Sequence, residues 1–407
     1  LFTAAMAAVT KVKHSARRAR RTLGVCGGAH VVHDGFTDAV YVLLPIWAQA
    51  FGFSLTQVGL LKASLTVALA VFQIPAGFLS ERIGAKTVLA AGTILAGLGY
   101  IVAGTAGGFT GLLIALLITG LGCAVQHPLG SALVSGAYDG AKRRTALGIY
   151  NFTGDLGKMI VPPAVTLCAA WIGWRESSML YGVIGTIAGI AIWFALDRYS
   201  PPKPEEAAAP SPSKGGWGIK DRQGFTLLSM VGFLDTATRY AFLPFLPFLL
   251  IEKGAEVANV GFALTLVFAG GAVGKFGCGV LAARIGLIRT VVVTEIVTAV
   301  GIFTLPMLPL TAALAVLPII GVALNGTSSV LYGCVADFVE EDRHARAFSL
   351  FYTVGIGSGA ISPIVFGVVS DAYGVPTALT CIAAMAATIL LLCPLLAPRL
   401  HAAIQNS

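Results

Sequence analysis

Gly77-Phe78-Leu79-Ser80-Glu81-Arg82-Ile83-Gly84-Ala85-Lys86 is a charged turn between two long apolar runs. A degraded copy, Gly279-Val280-Leu281-Ala282-Ala283-Arg284-Ile285-Gly286, returns at an offset of 202 residues. The register persists around it: Val58-Gly59 maps onto Val260-Gly261, Gln73 onto Lys275 and Pro45 onto Pro247. Pro162 maps onto Pro363 at the nearly equal offset of 201. One register kept across a basic turn and two prolines predicts two homologous halves.

The solvent for those halves follows from composition. Of 407 residues, 56% are hydrophobic and 11% charged, and the mean hydropathy is +0.84. So few charges cannot cover the exterior of a water-soluble domain, so the surroundings are lipid. A spanning helix needs about 20 mostly apolar residues, and the chain offers twelve such runs, the first at 22–50 and the last at 375–397. None shows the alternation of a membrane β-strand. The predicted fold is an all-α membrane protein of twelve transmembrane helices in two pseudo-symmetric six-helix bundles. The expected divisions are a basic cytoplasmic arm at 1–21, bundles at 22–197 and 223–398, a linker at 198–222 and a tail at 399–407. The linker holds Pro201-Pro202, Pro204, Pro210, Pro212 and Gly215-Gly216, a composition that resists helix and core formation. The arm lacks the apolar core and cleavage site of a secretory signal and reads as an irregular or interfacial segment.

The net charge of +8 is a topology signal. Of 27 Lys and Arg, six precede the first run, and fifteen lie in the even-to-odd loops and the C-terminal tail. Only Arg175 and Lys253 fall in the opposite loops. Positive residues collect on the cytoplasmic side, so both termini are expected there, in the plasma membrane. This placement argues against a nucleic-acid partner. The seven cysteines all lie in apolar runs without a C-x-x-C pair and are expected to pack as small hydrophobes, binding no metal.

The turn at Gly77, Glu81, Arg82, Gly84 and Lys86 resembles the signature Gly-x-x-x-(Asp/Glu)-Arg-x-Gly-x-(Lys/Arg) of the major facilitator superfamily. The six-plus-six spans and mid-chain linker resemble that family as well, over residues 22–398. The resemblance implies that the turn latches the halves in one state, its glycines permitting close approach of helix ends. Arg284 marks the second, weaker copy, with Ala283 where the acid would stand. Within the superfamily the chain is similar to fosmidomycin-resistance-like exporters at three places. These are His30-Val31-Val32-His33-Asp34, Gly120 to Pro128, and Asn151-Phe152-Thr153-Gly154-Asp155-Leu156-Gly157. Leu129 and Leu133 stand where those exporters carry Glu and Arg, and Asp155 and Lys158 replace small or neutral residues.

Ionisable side chains within a membrane each require a reason. Span one holds His30, His33, Asp34 and Asp38. His30, Asp34 and Asp38 recur every four residues on one helical face, with Tyr41 near it. Asp34 lies about 18 Å from the start of the run, near the bilayer midplane. Acid beside imidazole suits a proton relay; the same groups also suit a hydrogen-bonded lock between helices. His127 precedes Pro128, about 15 Å from the near end of span four. Broken backbone there is tolerated beside a cavity, so His127 is a substrate or proton contact or a packing histidine. Asp155 with Lys158, and Asp235 with Arg239, are pairs at helical spacing, read as lining the cavity or as inert ion pairs. Asn151, Asn325 and Tyr332 join the expected substrate contacts. Lys62 and Glu295 are read as lying near helix ends, where long side chains reach water.

Together these readings predict a proton-coupled secondary transporter of a small organic anion or drug, working by alternating access. Export by antiport is preferred on the exporter resemblance, with uptake by proton symport as the alternative. Neither an enzyme nor a cofactor is expected beyond the proton gradient. Its partners would be substrate, protons and lipid, and the chain would act as a monomer. Ranked lower are a metal-ion transporter and a channel, which would want pore rings from several subunits.

Overall fold

The structure is a computed structural model that describes residues 2–138, 140–196, 218–340 and 344–405. The helices are α1 (Phe2–Phe51), α2 (Leu55–Ile83), α3 (Ala85–Thr105), α4 (Phe109–Cys123), α5 (Gln126–Ala137), α6 (Gly140–Ile172) and α7 (Trp174–Ala195). The second half continues as α8 (Arg222–Glu252), α9 (Val257–Ile285), α10 (Leu287–Thr304), α11 (Leu310–Val335), α12 (His344–Tyr373) and α13 (Val375–Gln405). Among the described residues the only strand-like pairing is a single bridge between Ile219 and Val339.

Among the described residues, eleven spans are long and apolar enough to cross a membrane, α4 and α5 counting together as Phe109–Ala137. The twelfth expected span lies in α1, whose His30, His33, Asp34 and Asp38 make it less apolar than the rest. The molecule is therefore an all-α multi-pass membrane protein. Three expectations at the margins change. The basic arm is helical from Phe2, continuous with span one, because residues 2–23 contain neither Gly nor Pro and are rich in Ala, Lys and Arg. At the other end α13 runs through the expected start of the tail to Gln405. Of the linker, residues 198–217 lie outside the described residues. Its end is ordered: Lys220 N donates to Phe338 O at 2.9 Å, and Asp221 caps α8 by accepting from Gln223 N at 3.0 Å.

The internal repeat is visible in the backbone. Spans end on glycines of positive φ at Gly84 (91°), Gly173 (90°), Gly286 (91°) and Gly374 (83°), among others. A side chain is strained in this region, so glycine lets one helix stop and the next start with almost no loop. Gly84 pairs with Gly286, and Gly173 with Gly374, at the offsets the sequence shows. The expected close approach at Gly77 is absent: a methyl group placed there meets none of the described residues within 4 Å.

Two compact units are present, and they cut across the expected bundle boundaries. The first comprises Leu1–Ala39, Ala68–Val161 and Arg175–Ala209. The second comprises Val40–Val67, Pro162–Trp174 and Pro210–Ser407. In the second unit, α9 and α11 approach to backbone contact, since a Cβ on Gly270 would lie 2.0 Å from Pro318 O and one on Gly321 2.1 Å from Val267 O. Lipid supplies no hydrophobic drive between helices, so packing through small residues of this kind supplies cohesion. The same device draws segments of the first half into this unit: a Cβ on Gly59 would lie 2.1 Å from Pro363 O, and one on Gly367 2.5 Å from Leu55 O.

Asp371 at the end of α12 completes that packing. Its carboxylate accepts from the Leu55 and Thr56 amides at 2.6 and 2.9 Å and from the Thr56 hydroxyl at 2.5 Å. It thus caps α2 from a distant part of the chain, satisfying amides that have no partner within their own helix. Asp371→Ala is expected to lower stability by about 1 kcal/mol, with Asp371→Asn losing less, as measured by denaturant unfolding of the purified protein.

Candidate functional site

Asp34 organises the first unit. It is 5% exposed and faces three bases from three segments of the chain. Lys158 Nζ of α6 lies 3.3 Å from Oδ2, His30 Nε2 3.5 Å from the same oxygen, and His127 Nε2 of α5 3.7 Å from Oδ1. His30 is fixed on its other side, where Nδ1 donates to the Tyr150 carbonyl at 2.8 Å. A carbonyl only accepts, so this bond assigns a proton to Nδ1. A hydrogen bond between Nε2 and Asp34 then needs a second proton, carried by the imidazole or by the carboxyl group.

Local structure explains why these groups meet. Helix α4 stops at Cys123 and α5 resumes at Gln126, so His127 occupies the first turn of a helix rather than its interior. Pro128, also in that first turn, lacks the N–H that would have had no intrahelical partner. Tyr150 locks α5 to α6: its hydroxyl donates to Gln126 O at 3.1 Å and accepts from Gln126 Nε2 at 3.1 Å. Its ring stacks on His30 at 4.3 Å, and His127 meets His30 edge-on at 5.2 Å. Gly154 and Gly157 give α6 a face without side chains. A Cβ on Gly157 would lie 2.3 Å from Val31 O, and one on Gly154 2.6 Å from His30 Nε2 and 2.7 Å from Asp34 Oδ2.

Exposure grades across the cluster. The His127 side chain is 51% exposed, that of Lys158 28%, and those of Asp34 and His30 7% and 4%. An exposed imidazole therefore leads to a buried carboxylate and on to a buried imidazole. Ligand atoms of His30, Asp34 and His127 lie within 4.8 Å of one another, a spacing that could hold a metal ion. The Lys158 ammonium beside Asp34 opposes a cation there.

Other expected residues are distributed as follows. His33 turns to α3, with Nε2 2.8 Å from Thr93 Oγ1. Asp38 and Asp155 are buried, and Asn151 is exposed one turn before Asp155. The expected latch residues Glu81, Arg82 and Arg284 are exposed, while Lys86 Nζ lies 5.1 Å from the Trp193 ring centroid. In the second unit, Asp235 and Arg239 are joined through Ser328 of α11. Arg239 Nη1 donates to Ser328 Oγ at 3.2 Å, and Ser328 Oγ donates to Asp235 Oδ2 at 2.8 Å. Asn325 Nδ2 donates to Gly321 O on its own helix at 3.2 Å, and Tyr332 stacks on Tyr352 at 4.6 Å.

Two residues depart from expectation. Lys62 and Glu295, expected near helix ends and water, are 2% and 1% exposed. Glu295 sits mid-way along α10, and neither its Oε2 nor Thr298 Oγ1, one turn on, has a hydrogen-bond partner among the described residues. The Lys62 ammonium lies over the Tyr41 ring, 4.2 Å from its centroid. Sequence held one signal for both, an ionisable residue inside an apolar run; distance from the helix ends was the wrong discriminator.

Membrane-crossing helices that bury acids against bases and imidazoles are the equipment of a secondary transporter of small solutes, not of an enzyme. The family comparison says the same. The Major Facilitator Superfamily matches residues 27–230 and 228–406, and the chain belongs to it. It is 24% identical over 361 residues to a probable sulfoacetate transporter of Cupriavidus necator, covering 82% of this chain and 83% of that one. It is 24% identical over 360 residues to a hexuronate transporter of Bacillus subtilis, covering 83% and 84%. It is 22% identical over 371 residues to the fosmidomycin resistance protein of Escherichia coli, covering 88% and 89%.

The close fit at Gly154 gives a test of the cluster's rigidity. Gly154→Ala is expected to destabilise by about 1–3 kcal/mol, the usual range for overpacking. Gly148→Ala, with nothing within 4 Å, serves as the control and is expected to be neutral or stabilising. Denaturant unfolding of the two variants side by side measures the difference.

Proposed function

We propose that this chain is a proton-coupled symporter of a small organic anion, working by alternating access as a monomer in the plasma membrane with both termini cytoplasmic. The Lys158–Asp34 contact at 3.3 Å carries the reading. An anion that takes Lys158 removes the counter-ion of a buried carboxylate. A bare carboxylate in that setting is expensive, so Asp34 takes up a proton as the anion binds. Anion and proton then load together, which is symport. His127 and His30 are the groups through which that proton arrives and is shared.

Two relatives are named for organic acids, sulfoacetate and hexuronate, and this agrees with an anionic substrate for the present chain. The excess of Lys and Arg in the even-to-odd loops supports the orientation. A second reading, export of a drug by proton antiport, is favoured by the similarity to the fosmidomycin resistance protein. The two separate by the direction of proton flow: symport acidifies the compartment that gains anion, and antiport alkalinises it.

Proteoliposomes loaded with a pH dye and given sulfoacetate or glucuronate decide the matter. Saturable uptake with co-directional protons is expected; counter-directional protons would establish antiport. Asp34→Asn is expected to abolish concentration against a gradient while leaving anion exchange intact. Lys158→Ala is expected to weaken anion binding by more than about 1.5 kcal/mol, the lower end for hydrogen bonds to charged groups, as read by calorimetry.

A further inference from the structure

The basic arm has no part in the solute mechanism. It carries Lys11, Lys13, Arg17, Arg18, Arg20 and Arg21, and it runs without a break into the first membrane span as α1. Its last arginines therefore stand on a continuous helix at the edge of the apolar run, where headgroups meet hydrocarbon. Arg21 is turned to α7, where Nη2 donates to Phe194 O at 3.4 Å. Arg20 is exposed and stands at the arm end of a groove of about 370 Å³ between α1 and α6. Glycine makes this groove. Gly27 lets α1 meet α6, since a Cβ there would lie 3.2 Å from Thr153 Cγ2, and the contact of Gly157 with Val31 O continues that crossing one turn further in. Gly24 and Gly28, also one turn apart, line the groove and are exposed, and a Cβ on either would meet none of the described residues within 4 Å. The other walls include Leu23 and Ile149, and Arg20 is the one charged group in the lining.

From Arg20 to Val31 the groove follows α1 for about 16 Å, close to half the ~30 Å thickness of the hydrocarbon core. It is one leaflet deep, apolar along its length and positive at its mouth. We propose that it binds an anionic phospholipid of the leaflet on the arm's side, one acyl chain lying along Gly24 and Gly28 and the phosphate meeting Arg20. A guanidinium presents paired N–H donors that fit a phosphate, and basic residues between membrane helices at this level attract anionic headgroups. A second copy of the chain fits less well. Gly24-x-x-x-Gly28 is a spacing at which membrane helices pair, but a two-fold contact sets each patch against itself. The arm arginines of both copies would then meet. The lipid site is independent of which solute the chain carries.

The test uses the full chain in nanodiscs of neutral phosphatidylcholine, doped with phosphatidylglycerol or phosphatidylcholine that carries a photoreactive group on one acyl chain. Mass spectrometry of digests locates the cross-links. The phosphatidylglycerol probe is expected to label residues 23–31 and 149–153 well above the phosphatidylcholine probe. R20Q is expected to lower that labelling about fivefold, one arginine's share of the attraction to an anionic headgroup, and R20K to keep most of it. R17Q, nearly one turn toward the start of the arm and outside the groove, is expected to lose less. G24L puts a side chain into open space and is expected to abolish the labelling, with the melting temperature unchanged or raised because Leu is the better helix former. Equal labelling by the two probes would reduce the groove to ordinary boundary lipid and overturn the proposal. An equal loss in R17Q and R20Q, the mark of a diffuse basic surface, would overturn it too, as would full labelling in G24L. A dimer that G24L dissociates, with no phospholipid cross-link in the wild type, would assign the groove to a second copy instead.

Discussion

The contact between Lys158 and Asp34 is the interaction on which the first unit depends. A carboxylate 5% exposed inside a membrane helix cannot stand without a counter-charge or a proton. Lys158 at 3.3 Å supplies the first, and the His30–His127 pair is placed to supply the second. The surrounding architecture serves this choice. Gly154 clears the space in front of His30, the break between α4 and α5 presents His127, and Tyr150 holds both helices in register. Together they hold the lysine and the two imidazoles within 3.7 Å of the carboxylate.

Close approach in a bilayer has to come from shape. Water expels nothing there, so helices join where side chains are missing and backbone meets backbone. The chain answers with Gly154 and Gly157 against α1, Gly270 and Gly321 between α9 and α11, and Gly59 and Gly367 between α2 and α12. Such interfaces bring two backbones together without interlocking large side chains. The Asp371 cap adds direction to one of them, because a carboxylate aimed at the start of α2 specifies which helix end it meets.

Much of the fold was legible because it is written in local spacing. Apolar runs mark the spans, and the offsets of 202 and 201 reappear as the positive-φ glycines Gly84 and Gly286, Gly173 and Gly374. The arm, read as irregular or interfacial, is helical because an Ala-, Lys- and Arg-rich segment without Gly or Pro favours helix whatever its net charge. Of the site, the His30–Asp34 face could be read from its four-residue period. The partners could not. Lys158 was matched with Asp155 on its own helix, and spacing gave no sign that it also reaches Asp34 on α1. Asp235 and Arg239 were matched directly, yet Ser328 of α11 stands between them. Spacing along one helix says which residues share a face; it does not say what the next helix brings to that face.

That limit also explains Lys62 and Glu295. Counting residues from a helix end assumes that the end is wet and that the side chain points toward it. In this molecule the start of α2 is capped by Asp371 and packed against α12, and Lys62, seven residues on, is only 2% exposed. Its ammonium turns to Tyr41 instead. Tyr41 is seven residues beyond Asp34, two turns along the same face of α1, with Asp38 between them. A single stripe on the first membrane helix thus carries the acid of one charged cluster and the aromatic support of the other. The density of ionisable residues on this helix is unfavourable for insertion and marks it as functional by default.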